Sequence, residues 1–199
     1  MNAPAPARSG AATAPSGARR PSGPAIAPQA ATGPPETSER PSGAWVLVTG
    51  SRAFKAKVHR DVLDAALTQA WDEARHFGRQ RLTIIHGTAP GADTLAAKWA
   101  LQHPGVFEIG HPADWNGPCG PNCKPGHRKP GRGGADYCPQ AGAYRNQLMV
   151  NTVLRLDEPR ICLAFFASAT EDSAGTADCL RRARLAGLPW RAYDPRGPR

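Results

Sequence analysis

Short apolar runs punctuate this chain, and two of them each lead to a glycine turn that opens a helix. Trp45-Val46-Leu47-Val48 runs into Thr49-Gly50-Ser51-Arg52, and Ile161-Cys162-Leu163-Ala164-Phe165-Phe166 leads to Gly175-Thr176-Ala177-Asp178. A strand apolar on both faces, followed by a turn and a helix, is the repeating unit of a parallel sheet covered by helices. In such sheets the turns gather at the carboxyl ends of the strands, where unpaired backbone N–H groups and positive helix ends draw an anion. The pattern therefore implies a phosphate site and, through it, a nucleotide.

The rest of the chain fits that unit. After the first strand, Val58, Val62, Leu63, Ala66, Leu67, Ala70, Trp71 and Ala74 recur at helical spacing, and Gly78 marks the stop. A second strand, Leu82 to His86, passes through Gly87-Thr88-Ala89-Pro90-Gly91-Ala92-Asp93 into a helix carrying Leu95, Ala96, Trp99 and Ala100. Val106 to Ile109 reads as a third strand, Tyr144 to Leu156 as a helix, Arg160 to Phe166 as a fourth strand, Gly175 to Ala186 as a helix, and Leu188 to Tyr193 as an edge strand. The expectation is an α/β domain over residues 44–194, with a parallel sheet of about five strands flanked by helices.

The ends read differently. Residues 1–43 hold 9 of the 21 prolines and no aromatic residue, so they cannot bury enough apolar surface to offset the entropy of ordering. A disordered tail is expected there, and a short disordered C-terminus over 195–199. No stretch has the roughly 18 apolar residues of a membrane span, and the N-terminus lacks the apolar core of a secretory signal, so a cytoplasmic protein is expected. The formal charge of +9 favours anionic partners, although an arginine-rich background gives the same excess.

At the first turn, Gly50 admits close backbone approach, Ser51 offers a hydroxyl and Arg52 a fork that takes two phosphate oxygens. The same residues also serve simply to turn and cap. Gly87, Gly91 and Asp93 stand where the second helix starts, with Asp93 suited to a ribose hydroxyl or, more conservatively, to a capping bond. Ser173, Gly175 and Thr176 supply donors at the fourth-strand turn. Arg145 reads as a phosphate or carboxylate partner and Asn146 as its neighbour in the crevice or a local cap. Of Asp114 and Trp115, Asp114 is the better site candidate and Trp115 an anchor for the loop.

Residues 116–142 lose periodicity and read as an insertion. Cys119-x3-Cys123-x3-His127-x10-Cys138 places three thiols and an imidazole in a loop too polar to fold by burial, a donor set that matches a closed structural zinc site. Free thiols in an unstructured loop are the other reading. Lys124, Arg128, Lys129 and Arg132 make the loop basic, while His111 and Cys162 fit the core or the crevice rim.

In order along the chain stand V-T-G-S-R-x-F, H-G-x-A-x-G-A-D-x-L-A, A-D-W, R-N-x-x-M and G-T-A-D with a later G-x-P. From about Trp45 to Tyr193 this series resembles the YspA/YpsA-related branch of the SLOG superfamily, Rossmann-like proteins similar to the DprA and lonely-guy proteins. The resemblance implies a Rossmann-like fold and a nucleotide-derived ligand, ADP-ribose-like, NAD-like or a nucleoside phosphate, handled by a sensor or a processing protein. It maps Gly50, Ser51, Arg52 and Phe54 to the first motif, Gly87, Gly91, Ala92 and Asp93 to the second, then Asp114-Trp115, Arg145-Asn146 and Gly175-Thr176-Asp178. Lonely-guy proteins cleave nucleoside monophosphates and carry a glutamate where this chain has Cys179, and relatives often carry a basic residue at Pro90. A nucleotide N-glycosidase using Asp93, Asp114 or Asp178 is thus one alternative. A single-stranded nucleic-acid binding module of DprA type is another, and an oligomer is open.

Overall fold

Alternation along the first strand decides which way the layers stack. In the computed structural model, which describes residues 42–131, 133–170 and 173–199, Ala44, Val46 and Val48 point to one side of the sheet and Leu47 to the other, all buried. The expected tail, apart from Ser42 and Gly43, lies outside the described residues, as does Arg132. The elements are β1 (Gly43–Gly50), α1 (Lys57–His76), β2 (Arg81–His86), α2 (Ala92–Gln102), β3 (Val106–Gly110), β4 (Lys129–Pro130), β5 (Asp136–Tyr137), α3 (Ala141–Leu154), β6 (Arg160–Phe165), α4 (Ala174–Leu185), β7 (Trp190–Asp194) and β8 (Gly197–Pro198).

The main sheet has six strands in the order β3-β2-β1-β6-β7-β8, parallel except for β8. On one face Val46, Val48, Ile84 and Phe165 pack against Leu63, Leu67 and Trp71 of α1 and Ala96 and Trp99 of α2. On the other, Leu47, Ile85, Cys162 and Ala164 pack against Met149, Val150 and Val153 of α3 and Cys179, Leu180 and Ala183 of α4. The chain lays β1, β2 and β3 outward in one direction, then crosses back to place β6 on the other side of β1. The loops after β1 and β6 therefore diverge, and the sheet has its switch point between them.

Local chemistry explains the boundaries. Leu63, Ala66, Leu67, Ala70, Trp71 and Ala74 form one buried stripe of α1. The helix ends at Gly78, whose φ of +73° lets Arg79 N–H reach Ala74 O at 3.0 Å and Gly78 N–H reach Arg75 O at 2.8 Å, a Schellman closure. Helix α3 starts at Ala141, ahead of the expected Tyr144, because Gly142, read as a loop residue, lies in its first turn. The expected disordered C-terminus is corrected: Gly197–Pro198 pairs with β7, Arg199 N–H bonds Ala192 O at 2.8 Å, and Arg196 closes on the buried Asp194. No described helix is long and apolar enough to cross a membrane.

Candidate functional site

The loop after β1 is shaped by small residues in close contact. Ser51 is 2% exposed; its N–H bonds Phe165 O at 2.9 Å and its Oγ accepts Ala53 N–H at 3.0 Å. A Cβ on Gly50 would run into Ala92 and Phe165, and one on Gly91, whose φ is +92°, would run into the Ser51 carbonyl. Both glycines thus spend their freedom on docking the start of α2 against the end of β1. Phe54 stacks on His59 at 4.4 Å, and His59 accepts the Lys55 and Ala56 N–H groups at Nδ1 and meets Ala167 O through Nε2. Arg52 is exposed at the rim and hydrogen-bonds no other described residue.

The second turn is organised from within. Asp93 Oδ2 accepts Gly87 N–H at 3.0 Å and Ala89 N–H at 3.1 Å, while its Oδ1 is buried without a partner among the described residues. Burial raises the Asp93 carboxyl; the Ala89 bond and the charges of Arg145 and His86 oppose it without cancelling it. Arg145 donates to the Gly87 carbonyl through the space a Cβ on Gly87 would fill, and to Asn146 Oδ1 at 3.1 Å. His86 bonds Glu108 at 2.7 Å on the same edge.

Asn146, 3% exposed, links α3 to α4: its Nδ2 donates to Gly175 O at 3.2 Å and to Asp178 Oδ2 at 3.1 Å. Asp178 also takes Arg181 at 2.8 Å and Arg182 at 2.8 Å. Burial pulls the Asp178 carboxyl upward, but the bonds from Arg182, Asn146 and Arg181 outweigh it and hold it below the ordinary carboxylate range. Thr176 Oγ1 bonds Ser173 Oγ at 2.9 Å at the start of α4. Burial pushes the thiol of Cys179 up to about 12 and raises that of Cys162, and both are fully buried in the core.

Between the β1 and β6 loops lies a cavity of about 560 Å³. Gly50, Ser51, Arg52, Asp93, Arg145, Asn146, Ser173, Gly175 and Thr176 line it, together with Asp178. Gly87 and Gly91 are not on its wall; they shape the turn behind it. Asp114 Oδ1 accepts Gly117 N–H at 2.8 Å and borders a separate hollow, while Trp115 lines the cavity. Trp115 packs over Gly142 and edge-on to Tyr137, so its place depends on folded neighbours rather than on a local motif. Met149, the last residue of R-N-x-x-M, also lines the cavity, as do Pro139 and Gly142, which the sequence did not single out.

The insertion folds onto the cavity's wall. Cys119, Cys123, His127 and Cys138 bring one donor atom each to within 4.8 Å of one another, a cluster that could hold a metal. His127 Nε2 lies 3.1 Å from Cys119 Sγ and 3.4 Å from Cys138 Sγ, and the Cys123 and Cys138 sulfurs are 3.7 Å apart. A tetrahedral zinc with Zn–S bonds near 2.3 Å needs sulfur edges of about 3.8 Å, so the donor set and its spacing fit that ion. Outer groups are present too. Tyr144 lies 3.2 Å from Cys123 Sγ, and that contact pushes its phenol up to about 12, keeping it a donor. Arg128 donates to Gly117 O at 2.9 Å, to Asn116 O and Asp136 O, and to Cys119 Sγ at 3.6 Å. It clips the insertion together instead of standing free as a basic surface group. The hairpin of β4 and β5, unforeseen in the sequence, leads into Cys138, whose N–H bonds Trp115 O at 2.8 Å.

Two comparisons bear on this arrangement. Residues 45–117 match the model of the YspA, cpYpsA-related SLOG family. The chain is also 32% identical over 151 residues to the Gene 61 protein of Mycobacterium phage D29, a match covering 72% of this chain and 91% of that relative.

Proposed function

The chain belongs to the YspA, cpYpsA-related SLOG family, and from that membership we propose that it binds a nucleotide or nucleotide-derived ligand in the cleft between β1 and β6. The ligand class is ADP-ribose-like, NAD-like or a nucleoside phosphate, and the role is that of a sensor or processing protein. One observation carries the reading: Arg52, Arg145 and the first turn of α4 share a single cavity of about 560 Å³ at the switch point of a parallel sheet. The phosphate is taken by the α4 N-terminus and the two guanidinium groups, with Gly50, Ser51, Ser173, Gly175 and Thr176 forming the cradle. Trp115 supplies a face for a base. Asn146 holds Arg145 and α4 in register, and Asp93 holds the second turn.

Two of the three candidate carboxylates speak against bond cleavage, and Asp93, on the cavity wall with its Oδ1 unpartnered among the described residues, is the one left for it. Asp178 spends both oxygens on Arg181, Arg182 and Asn146, and Asp114 lies off the cavity. The nucleic-acid reading loses support with Arg128, whose donors are taken by the insertion itself. Cys119, Cys123, His127 and Cys138 are proposed to hold a structural zinc, which when bound supplies a cross-link with no open coordination position. The test is thermal unfolding of the full chain with ADP-ribose, NAD, mononucleotides and dinucleotides. A true ligand at a hundred times its Kd adds about 2.7 kcal/mol and raises Tm. No shift with any of them overturns the reading, and release of free base that is lost in Asp178→Ala would replace it with the hydrolase.

A further inference from the structure

A second cavity, of about 510 Å³, opens at the opposite, amino-terminal end of the sheet, under the end of α3. Arg79, Arg81 and Arg155 line it beside Trp45, Thr83 and Asp157. These three arginines come from three different parts of the chain: the turn after α1, the start of β2 and the end of α3. Among the described residues none of the three, nor Asp157, takes part in an ion pair within 4.0 Å, although ion pairs elsewhere engage Arg160, Arg181, Arg182, Arg191, Arg196 and Arg199. Arg79 Nε is buried with no hydrogen-bond partner among the described residues.

A buried donor on a permanent cation is costly to leave unmade, and three like charges around one space repel unless something answers them. Two internal uses for them can be weighed. Arginines often neutralise the negative end of a helix, but the last carbonyls of α3 are already taken by Arg160, whose Nη1 reaches Leu154 O at 3.1 Å and also Leu156 O. Arg81 lies 4.3 Å over the Phe107 ring, which fixes its plane while leaving its in-plane donors to point elsewhere. Neither use accounts for Arg79 or Arg155.

We propose that this cavity is a second anion site, for the phosphate of a small phosphomonoester that also carries hydroxyl or amino groups. Three guanidinium groups match a dianion with several oxygens, and their planar forks suit phosphate better than a point charge would. Asp157 leaves the cavity with a net charge of +2 from the four side chains and can accept from the organic part of the ligand. The volume exceeds what phosphate alone needs. This site shares no residue with the cleft between β1 and β6, so it stands or falls separately from the ligand proposed there.

The test titrates inorganic phosphate into the nitrogen-labelled full chain and follows amide and Arg Nε–H resonances. Saturable shifts are expected at Arg79 Nε–H and at the amides of Arg81, Thr83 and Leu156, distinct from any at Ser51 or Gly175. Arg81→Gln with Arg155→Gln, both on exposed side chains, should weaken that set by about tenfold or more while leaving Tm without phosphate unchanged. Arg79→Lys, which keeps the charge and removes the buried Nε–H, should weaken it as well. Shifts confined to Ser51, Arg52 and Gly175, or shifts at the Arg79 side that survive the paired substitution, overturn the proposal.

Discussion

Asp178 and Asp93 sit on two sides of one cleft and are displaced in opposite directions, so acid affects the fold through them with opposite signs. Asp178 is lowered in the folded state, so its contribution is present above the ordinary carboxylate range and is lost as pH falls through its folded value. Asp93 is raised, so the folded state holds its proton longer, and this group favours folding as pH falls toward and below its folded value. Comparing Asp178→Asn with the parent, the Tm gap should be full near pH 7, begin to narrow near the ordinary carboxylate value of about 4 and close only as pH falls through the lowered folded value. A gap independent of pH would show that the charge of Asp178 is not what the link contributes. Close packing gives a second prediction at this scale. Gly91→Ala puts a methyl group against the Ser51 carbonyl at a φ of +92°, and should cost at least about 2 kcal/mol in denaturant unfolding. Single residues were also where the sequence spoke least clearly. That Gly50, Ser51, Arg52 and Gly175 lie in turns was legible because turn chemistry is local, whereas the place of Trp115 on the cavity and of Asp114 beside it was not, because their settings depend on Gly142, Tyr137 and Gly117 meeting in space.

Among the elements, helix α3 joins the two chemical features of the molecule. It lines the cleft through Gly142 and Arg145 and begins three residues after Cys138, while Tyr144, just before Arg145, touches Cys123. Metal binding at the cluster would therefore hold the entry of α3 and, through the Cys138–Trp115 backbone bond, one wall of the cleft. The purified chain should contain about one zinc per molecule by elemental analysis, and cobalt substitution should give the absorption of a tetrahedral thiolate site. Removal by a chelator, or Cys138→Ser, should lower Tm and weaken nucleotide binding together. Binding left intact in the metal-free chain would confine the cluster to holding its own loop. The ligand spacing in sequence was enough to point to these four residues, but not to their use as a clamp on α3. Elements with strong periodicity, α1 above all, were readable because burial repeats along them. The strands β4, β5 and β8 were not, since two-residue strands exist only through the partner they meet.

At the scale of the sheet, strand order turns two separate stretches of chain into the walls of one cavity. Residues of β1, α2 and their loops supply Gly50, Ser51, Arg52 and Asp93; α3 and α4 supply Arg145, Asn146, Gly175 and Thr176. Order is invisible in periodicity, because β6 pairing with β1 is a choice between sheet edges that both leave the same faces buried. A ligand bridging the cleft contacts both stretches at once, so it stabilises only the state in which β1 and β6 are paired. Its binding should raise the midpoint of one cooperative transition rather than split it. Arg52→Ala, on an exposed rim, should leave the unliganded unfolding free energy within about 0.5 kcal/mol of the parent yet lose at least tenfold in affinity. Arg145→Ala should lose both, because its guanidinium also holds the Gly87 carbonyl and Asn146. Calorimetric titration alongside thermal unfolding separates the two effects. If Arg52→Ala retains full affinity while Arg145→Ala binds nothing even where it remains folded, the anion lies deeper, against α3, and the rim only steers its approach.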